Sequence, residues 1–151
     1  MESLTFYTDG GCIGNPGVGG WAFVLLEDGK TTERNGAESL TTNNRMELTA
    51  VIEALEYVGR ELPGVSSETI RIVTDSEYVR RGISEWIHTW LRNGWKTSGR
   101  APVKNQDLWM RLHNLQGFYS ISWAWVKGHS GNQYNELCDK LVHDAIDSMK
   151  I

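Results

Sequence analysis

Two β-forming segments of this chain end alike, and that repeated ending constrains the fold more than any other feature. Residues 4–9 close on Thr8-Asp9-Gly10 and residues 69–75 on Thr74-Asp75-Ser76, with a helix-period stretch between them. The first segment alternates Leu4, Phe6 and Thr8 against Thr5, Tyr7 and Asp9, the pattern of a strand. A strand reached through a helical crossover is expected to run parallel to the one before it. Both aspartates then lie at the carboxyl edge of one sheet, where ligands of open α/β sheets bind. Either aspartate alone reads better as a turn former or helix cap. The pair is more informative.

Around these strands the pattern predicts a mixed sheet. Six glycines with Asn15-Pro16 mark residues 10–20 as a glycine-rich turn, followed by a β-rich run over 21–26, a turn at Asp28-Gly29 and a third strand over 30–37. Short connections make this an antiparallel meander. Asn43 or Asn44 can cap a helix running to Val58, closed by Gly59 and Pro63-Gly64. Short helices are expected over 77–82, 84–93 and 103–116, with a loop over 94–102, a fifth strand over 119–125 and a last helix over 134–149. That helix carries Leu137, Leu141, Val142, Ala145 and Met149 on one stripe. The expected fold class is α/β, a five-stranded mixed sheet of meander plus parallel strands with helices on both sides. With 151 residues, 40% of them hydrophobic, one domain spanning 1–151 is expected. A chain of this length buries about 70% of its unfolded surface, so neither a disulfide nor a metal is needed to hold it. Cys12 and Cys138 stand 126 positions apart without a C-x-x-C spacing, which suggests no disulfide framework or zinc site. The apolar run at 21–26 is far too short to span a membrane and the N-terminus lacks signal-peptide character, so a soluble, cytoplasmic protein is expected.

The candidate chemistry lies in carboxylates. Glu47 heads a helix face continued by Val51, Ala54 and Val58, where an uncompensated carboxylate would be expensive. It could equally sit wet in the first helical turn, favoured by the helix dipole, or pair with Arg45. Asp139 aligns with Val142 and Ile146 at the edge of the last helix's apolar stripe. Four such groups converging would repel one another and raise their own pKa values, a conflict that a divalent cation resolves. Oxygen ligands suit Mg²⁺ or Mn²⁺, and a carboxylate site with open positions is what two-metal phosphodiester hydrolysis requires. His129, in Lys127-Gly128-His129-Ser130-Gly131-Asn132, brings an imidazole able to move protons near neutral pH; spacing alone equally allows a solvent-exposed loop histidine. His88, His113 and His143 read as structural or exposed. The glycines hold no G-x-x-x-x-G-K-[ST] or helix-opening G-x-G-x-x-G, and Ser130 lacks a G-x-S-x-G elbow, so neither a nucleotide loop nor a serine hydrolase is indicated.

A net charge of −4 argues weakly against a nucleic-acid partner, but it hides an asymmetry. Residues 80–111 hold seven basic side chains against Glu85 and Asp107, and four of the seven tryptophans (Trp86, Trp90, Trp95 and Trp109). Such a stretch suits a surface that follows phosphates and packs against sugars or bases. It suits equally a helical subdomain with an aromatic core and a solvated charged face.

Five motifs occur in order: Tyr7-Thr8-Asp9-Gly10-Gly11-Cys12-Ile13-Gly14-Asn15-Pro16-Gly17; Thr42-Asn43-Asn44-Arg45-Met46-Glu47-Leu48; Thr74-Asp75-Ser76; Trp86-Ile87-His88 with Gly94-Trp95-Lys96-Thr97; and Val126-Lys127-Gly128-His129 with Asn135-Glu136-Leu137-Cys138-Asp139. Together, over residues 4–146, they strongly resemble type 1 ribonuclease H in its bacterial form. The resemblance implies a ribonuclease H-like fold and an endonuclease that hydrolyses the RNA strand of RNA/DNA hybrids with two Mg²⁺ ions, for which Mn²⁺ can substitute, leaving 5′-phosphate and 3′-hydroxyl ends. It implies that Asp9, Glu47, Asp75 and Asp139 bind metal and that His129 transfers protons or assists product release. Cys12, Asn15 and Asn43 match contacts to RNA 2′-hydroxyls. Trp86 and Trp90 match a channel for the DNA strand, and Thr42 and Asn105 a pocket for a DNA phosphate.

The chain departs from the pattern at Glu77, where many relatives have Gln at an RNA contact, and at Leu40, where relatives often place an Arg of the DNA-phosphate pocket. Its basic handle, over about 80–111, reads Trp90-Leu91-Arg92-Asn93 and is less cationic than in others, so weaker binding with a shallower salt dependence is expected. A monomer of low processivity, without a separate hybrid-binding domain, is expected. Competing readings are a non-catalytic hybrid- or partner-binding module, against which the four intact carboxylates speak, and a two-metal DNA resolvase or integrase core, against which the Trp-rich handle and Asn15 and Asn43 speak.

Overall fold

The computed structural model describes residues 4–64, 69–97, 99–128 and 131–149. Strands β1 (Leu4–Ile13), β2 (Gly17–Glu27) and β3 (Lys30–Thr41) form the meander; helix α1 (Asn43–Glu61) leads to β4 (Thr69–Thr74), and β5 (Ser120–Trp125) completes a sheet of order β3-β2-β1-β4-β5. β1 pairs antiparallel with β2 and parallel with β4, the last β1–β4 pair opposing Thr8 to Thr74, so Asp9 and Asp75 follow side by side, Asp9 still paired with Ala22 of β2. β4 and β5 are also parallel. Between them lie α2 (Glu77–Arg81), a π-helical segment (Gly82–Trp86), α3 (Ile87–Arg92) and α4 (Gln106–Gln116); α5 (Gln133–Ser148) follows β5.

One face of the sheet carries the main core, where Phe6, Phe23, Leu25, Ile70 and Ile72 pack against Leu48, Val51, Ile52 and Leu55 of α1 and Trp109 and Leu112 of α4. The opposite face packs Ala22 against Val142 and Ile146 of α5. Helices therefore cover both sides, as expected.

Several expected boundaries move. The glycines of residues 10–20 lie mostly within β1 and β2, and only residues 14–16 form the turn, with a cis Asn15-Pro16 bond. They serve close approach. A Cβ on Gly10 would sit 2.3 Å from the Met46 carbonyl carbon of α1, and one on Gly20 would sit 2.9 Å from the Val142 carbonyl oxygen of α5. Strand β3 runs to Thr41 and α1 passes Gly59 to Glu61. The cap of α1 is Thr42, not Asn43 or Asn44: its hydroxyl accepts from the Arg45 N–H at 3.3 Å. The expected break between the helices over 77–82 and 84–93 is bridged by the π-helical turn. The α5 stripe is also rotated. Asn135, Cys138, Val142, Ala145 and Ile146 are buried, whereas Met149 is 40% exposed. None of the helices in the described residues is long and apolar enough to cross a membrane.

Candidate active site

The carboxylates converge where the pairing of β1 with β4 ends. Asp9 lies within β1, one residue past its last pair with β4, Asp75 directly follows β4, and Glu47 projects from the second turn of α1. Carboxylate oxygens of these three lie within 4.8 Å of one another. Gly10, which lets α1 approach, also fixes Glu47, donating its N–H to Oε1 at 2.5 Å. Asp139 of α5 reaches the same cleft, a cavity of about 370 Å³ lined also by Cys12 and Asn43.

The alternatives left open for Glu47 are settled by position. It is 7% exposed, so it is not a wet first-turn residue. Arg45 turns away from it, placing Nη1 3.0 Å and Nη2 2.8 Å from the two oxygens of Asp107.

Burial and mutual repulsion set the electrostatics. Asp9 is pushed up from 3.8 to about 7, first by burial and then by the charges of Asp75 and Asp139, with the Gly10 N–H and a hydrogen bond with Glu47 offsetting part of the shift. Glu47 is held well above its ordinary value by burial and then by Asp9 and Asp75, against hydrogen bonds from Ser76 and Gly10. Such a set of hard oxygen donors fits a divalent cation, whose charge removes the repulsion that raises them. Cys138 lies beneath the cleft, its thiol donating to the Tyr7 carbonyl at 3.1 Å and its pKa raised mainly by burial.

The other expected contacts surround the cleft. Asn15 is exposed and its Oδ1 accepts from the Asn43 N–H at 2.9 Å, joining the β1–β2 turn to the start of α1. The half-buried Cys12 donates through sulfur to the carbonyls of Gly14 (3.1 Å) and Thr41 (3.4 Å). Glu77 flanks Asp75 and is paired with Arg80 at 3.3 Å, so its charge is partly answered within α2. Leu40 is 74% exposed. Asn105 lies beside Arg45, its Oδ1 3.3 Å from Nη1. Trp86 and Trp90 lie tilted against one another at 6.1 Å between ring centroids. His129 lies outside the described residues.

His143, expected to be structural or exposed, is exposed, and it also borders the cavity with Nε2 3.6 Å from Asp139 Oδ2, the contact that their i,i+4 spacing on α5 allows.

Comparison with known proteins agrees with this geometry. A family model for RNase H matches residues 1–147. The chain is 53% identical over 156 residues to Ribonuclease H of Treponema pallidum, covering 95% of this chain and 90% of that one. It is 49% identical over 142 residues to Ribonuclease HI of Neisseria meningitidis serogroup A, covering 94% of each. The crystal structure of LC9-RNase H1, a type 1 RNase H with the type 2 active-site motif, superimposes with a TM-score of 0.85 at 30% identity, over 99% of this chain and 74% of that one. A matched sheet, a carboxylate cleft at its carboxyl edge and half-identical relatives along almost the whole length place the chain in the ribonuclease H family, among the bacterial ribonucleases HI.

Proposed function

We propose that this cleft hydrolyses the RNA strand of an RNA/DNA hybrid at internal phosphodiesters, with Asp9, Glu47, Asp75 and Asp139 holding two divalent ions. The observation that carries this reading is the convergence of Asp9, Glu47 and Asp75 within 4.8 Å, with Asp139 on the wall of the same cavity. When bound, Mg²⁺, or Mn²⁺ in its place, supplies activation of the attacking water and charge stabilisation at the leaving 3′-oxygen. The protein holds the donors in place before the ions arrive. The Gly10 N–H orients Glu47, and both Asp9 and Glu47 are buried in the cleft wall.

Asn15 and Asn43, tied together by one hydrogen bond, and the neighbouring Cys12 form a ledge for RNA 2′-hydroxyls, the group by which RNA is told from DNA. Glu77 borders the same strand. His129 moves a proton or assists product departure. Thr42 and Asn105 receive a phosphate of the DNA strand, and Trp86 and Trp90 with the exposed cations of the handle hold that strand's backbone. The enzyme acts in this reading as a cytoplasmic monomer, a single catalytic domain with its handle at about 80–111.

The chemistry of the product ends tests the reading. Water attacking with departure of the 3′-oxygen leaves 5′-phosphate and 3′-hydroxyl ends, so the downstream RNA fragments should accept a kinase label only after phosphatase treatment. Fragments ending in a 2′,3′-cyclic phosphate would mean that the RNA's own 2′-hydroxyl attacks, and would overturn it.

A further inference from the structure

Asn105 is held in an unusual way. It stands at the N-cap of α4 with φ 61°, in the left-handed region, yet its side chain makes no capping hydrogen bond. An asparagine at this position ordinarily accepts from the first N–H groups of the helix, and a non-glycine residue with positive φ is mildly strained. Here the side chain is spent elsewhere. Its Oδ1 faces Arg45 Nη1 at 3.3 Å and its Nδ2 donates to the Tyr78 hydroxyl oxygen at 3.1 Å. Arg45 can only donate, so the two partners fix which end of the amide points each way. Tyr78 is fixed in turn: Trp109 Nε1 donates to the same oxygen at 2.8 Å, and its ring packs against Trp86 and Trp109 at centroid distances of 5.7 and 5.5 Å. Two elements therefore clamp an amide carried by a third. Arg45 comes from α1, Tyr78 from α2 and Asn105 from the start of α4.

The clamp leaves the second Nδ2 hydrogen free of any bond to these partners.

We propose that Tyr78 is a positioning residue for hybrid binding: its hydroxyl, against the Arg45 guanidinium, locks the Asn105 amide so that the remaining N–H is presented to a phosphate of the DNA strand. With Leu40 offering no charge at the end of β3 and the Arg45 guanidinium answered by both oxygens of Asp107, the clamped amide carries the contact. The inference rests on the hybrid reading above, whose own test is the cleavage of hybrid by the unaltered enzyme.

A double-mutant cycle tests it. Hybrid affinity without divalent metal, and KM and kcat with Mg²⁺, are measured for wild type, Tyr78→Phe, Asn105→Ala and the double variant, with thermal unfolding of each. Tyr78→Phe keeps the ring packing and removes only the hydroxyl. It should weaken binding about 2- to 10-fold, the range of one hydrogen bond, with the loss falling mainly in KM. In the Asn105→Ala background the same change should cost nothing further in affinity, because the hydroxyl then has no amide to hold. A second cycle replaces single DNA phosphates by neutral methylphosphonates: one position should weaken wild type yet leave Asn105→Ala unaffected. Equal losses from Tyr78→Phe in both backgrounds, or affinity unchanged by Tyr78→Phe, would overturn the proposal while leaving the cleavage reaction intact.

Discussion

The carboxylate cleft and the aromatic handle solve opposite charge problems. In the cleft, like charges are forced together by backbone: two neighbouring parallel strands and one helix fix Asp9, Asp75 and Glu47 within 4.8 Å, and Asp9 and Glu47 are buried. In the handle, charges of the other sign are spread out. Arg80, Arg81, Arg92, Lys96, Arg100, Lys104 and Arg111 are all exposed, carried around an aromatic cluster in which Trp90 lies 6.1 Å from Trp86, 6.1 Å from Trp95 and 5.3 Å from Trp109. Arg81 also rests over the Trp86 ring at 5.4 Å. The cleft is thus poised for a dense counter-charge at one point, and the handle for a chain of separated negative charges. Chemistry and affinity should therefore fail separately.

The largest expected effect tests that separation. Asp75→Asn should reduce hybrid cleavage by about a thousandfold or more while preserving hybrid binding, since the carboxylate acts on the transition state. Parallel kinetics and metal-free binding check it. A loss of affinity as large as the loss of rate would merge the two regions into one.

Next comes Trp90→Ala. Removing a ring that touches three other tryptophans should cost about 3 kcal/mol of folding stability and weaken hybrid binding. Its thermal midpoint should still rise with Mg²⁺ as wild type's does, because the cleft is untouched. A lost response would show that the cluster also shapes the carboxylates.

A smaller effect sharpens the electrostatics of the cleft. Asp9 and Glu47 have folded pKa values above their ordinary ones, so the folded state binds protons that the unfolded chain releases. Their stabilising contribution is complete below the ordinary carboxylate range and is lost as pH rises towards about 7. In EDTA, unfolding free energy should fall between pH 5 and pH 8 by on the order of a few kcal/mol. Asp9→Asn should flatten that fall and be more stable than wild type at pH 8 without metal. Mg²⁺ should raise the wild-type midpoint by binding the folded state, and Asp9→Asn should reduce the rise. Equal pH dependence and equal Mg²⁺ response in the two proteins would remove the case for a metal site at Asp9.

The smallest change concerns the handle alone. Leu91→Lys adds one exposed cation beside Trp90 and should steepen the slope of log affinity against log salt by about 1, without altering the pH dependence of the cleft. An unchanged slope would mean that this edge of the handle does not follow phosphates.

The two regions were also unequally legible in the sequence. Asp9 and Asp75 could be placed because a helical crossover makes their strands parallel neighbours, although β1 runs past the expected ending at Asp9 to Ile13. Glu47 could be placed on the apolar face of α1, but its burial depended on Gly10, whose role needs the helix and strand side by side. The same proximity explains why residues 10–20 read as a turn: glycine signals turns locally, while here most of these glycines admit α1 and α5 against the sheet. The stripe on α5 was misaligned because hydropathy favoured Leu137 and Met149, whereas the buried face is set by Cys138 bonding to Tyr7 and by the polar but buried Asn135. In the handle, both sequence readings describe part of the result. Trp109 is fully buried core, and the cations around it are exposed, three of them (Arg80, Arg81 and Arg111) in surface ion pairs with Glu77, Glu85 and Glu56. Arg45, Tyr78 and Asn105 meet from three elements separated by 33 and 27 positions, and no local pattern announces such a clamp.

The central claim, that the convergent carboxylates make a metal-dependent nuclease for hybrids, is tested most directly by one cleavage experiment. An end-labelled RNA is paired with DNA, paired with RNA or left single, and incubated with wild type or Asp75→Asn in Mg²⁺ or EDTA. Cutting of the hybrid alone, only with Mg²⁺ and only by wild type, is the result expected. Cutting that persists in EDTA or in Asp75→Asn, or hybrid that is bound by wild type and never cut, would contradict it.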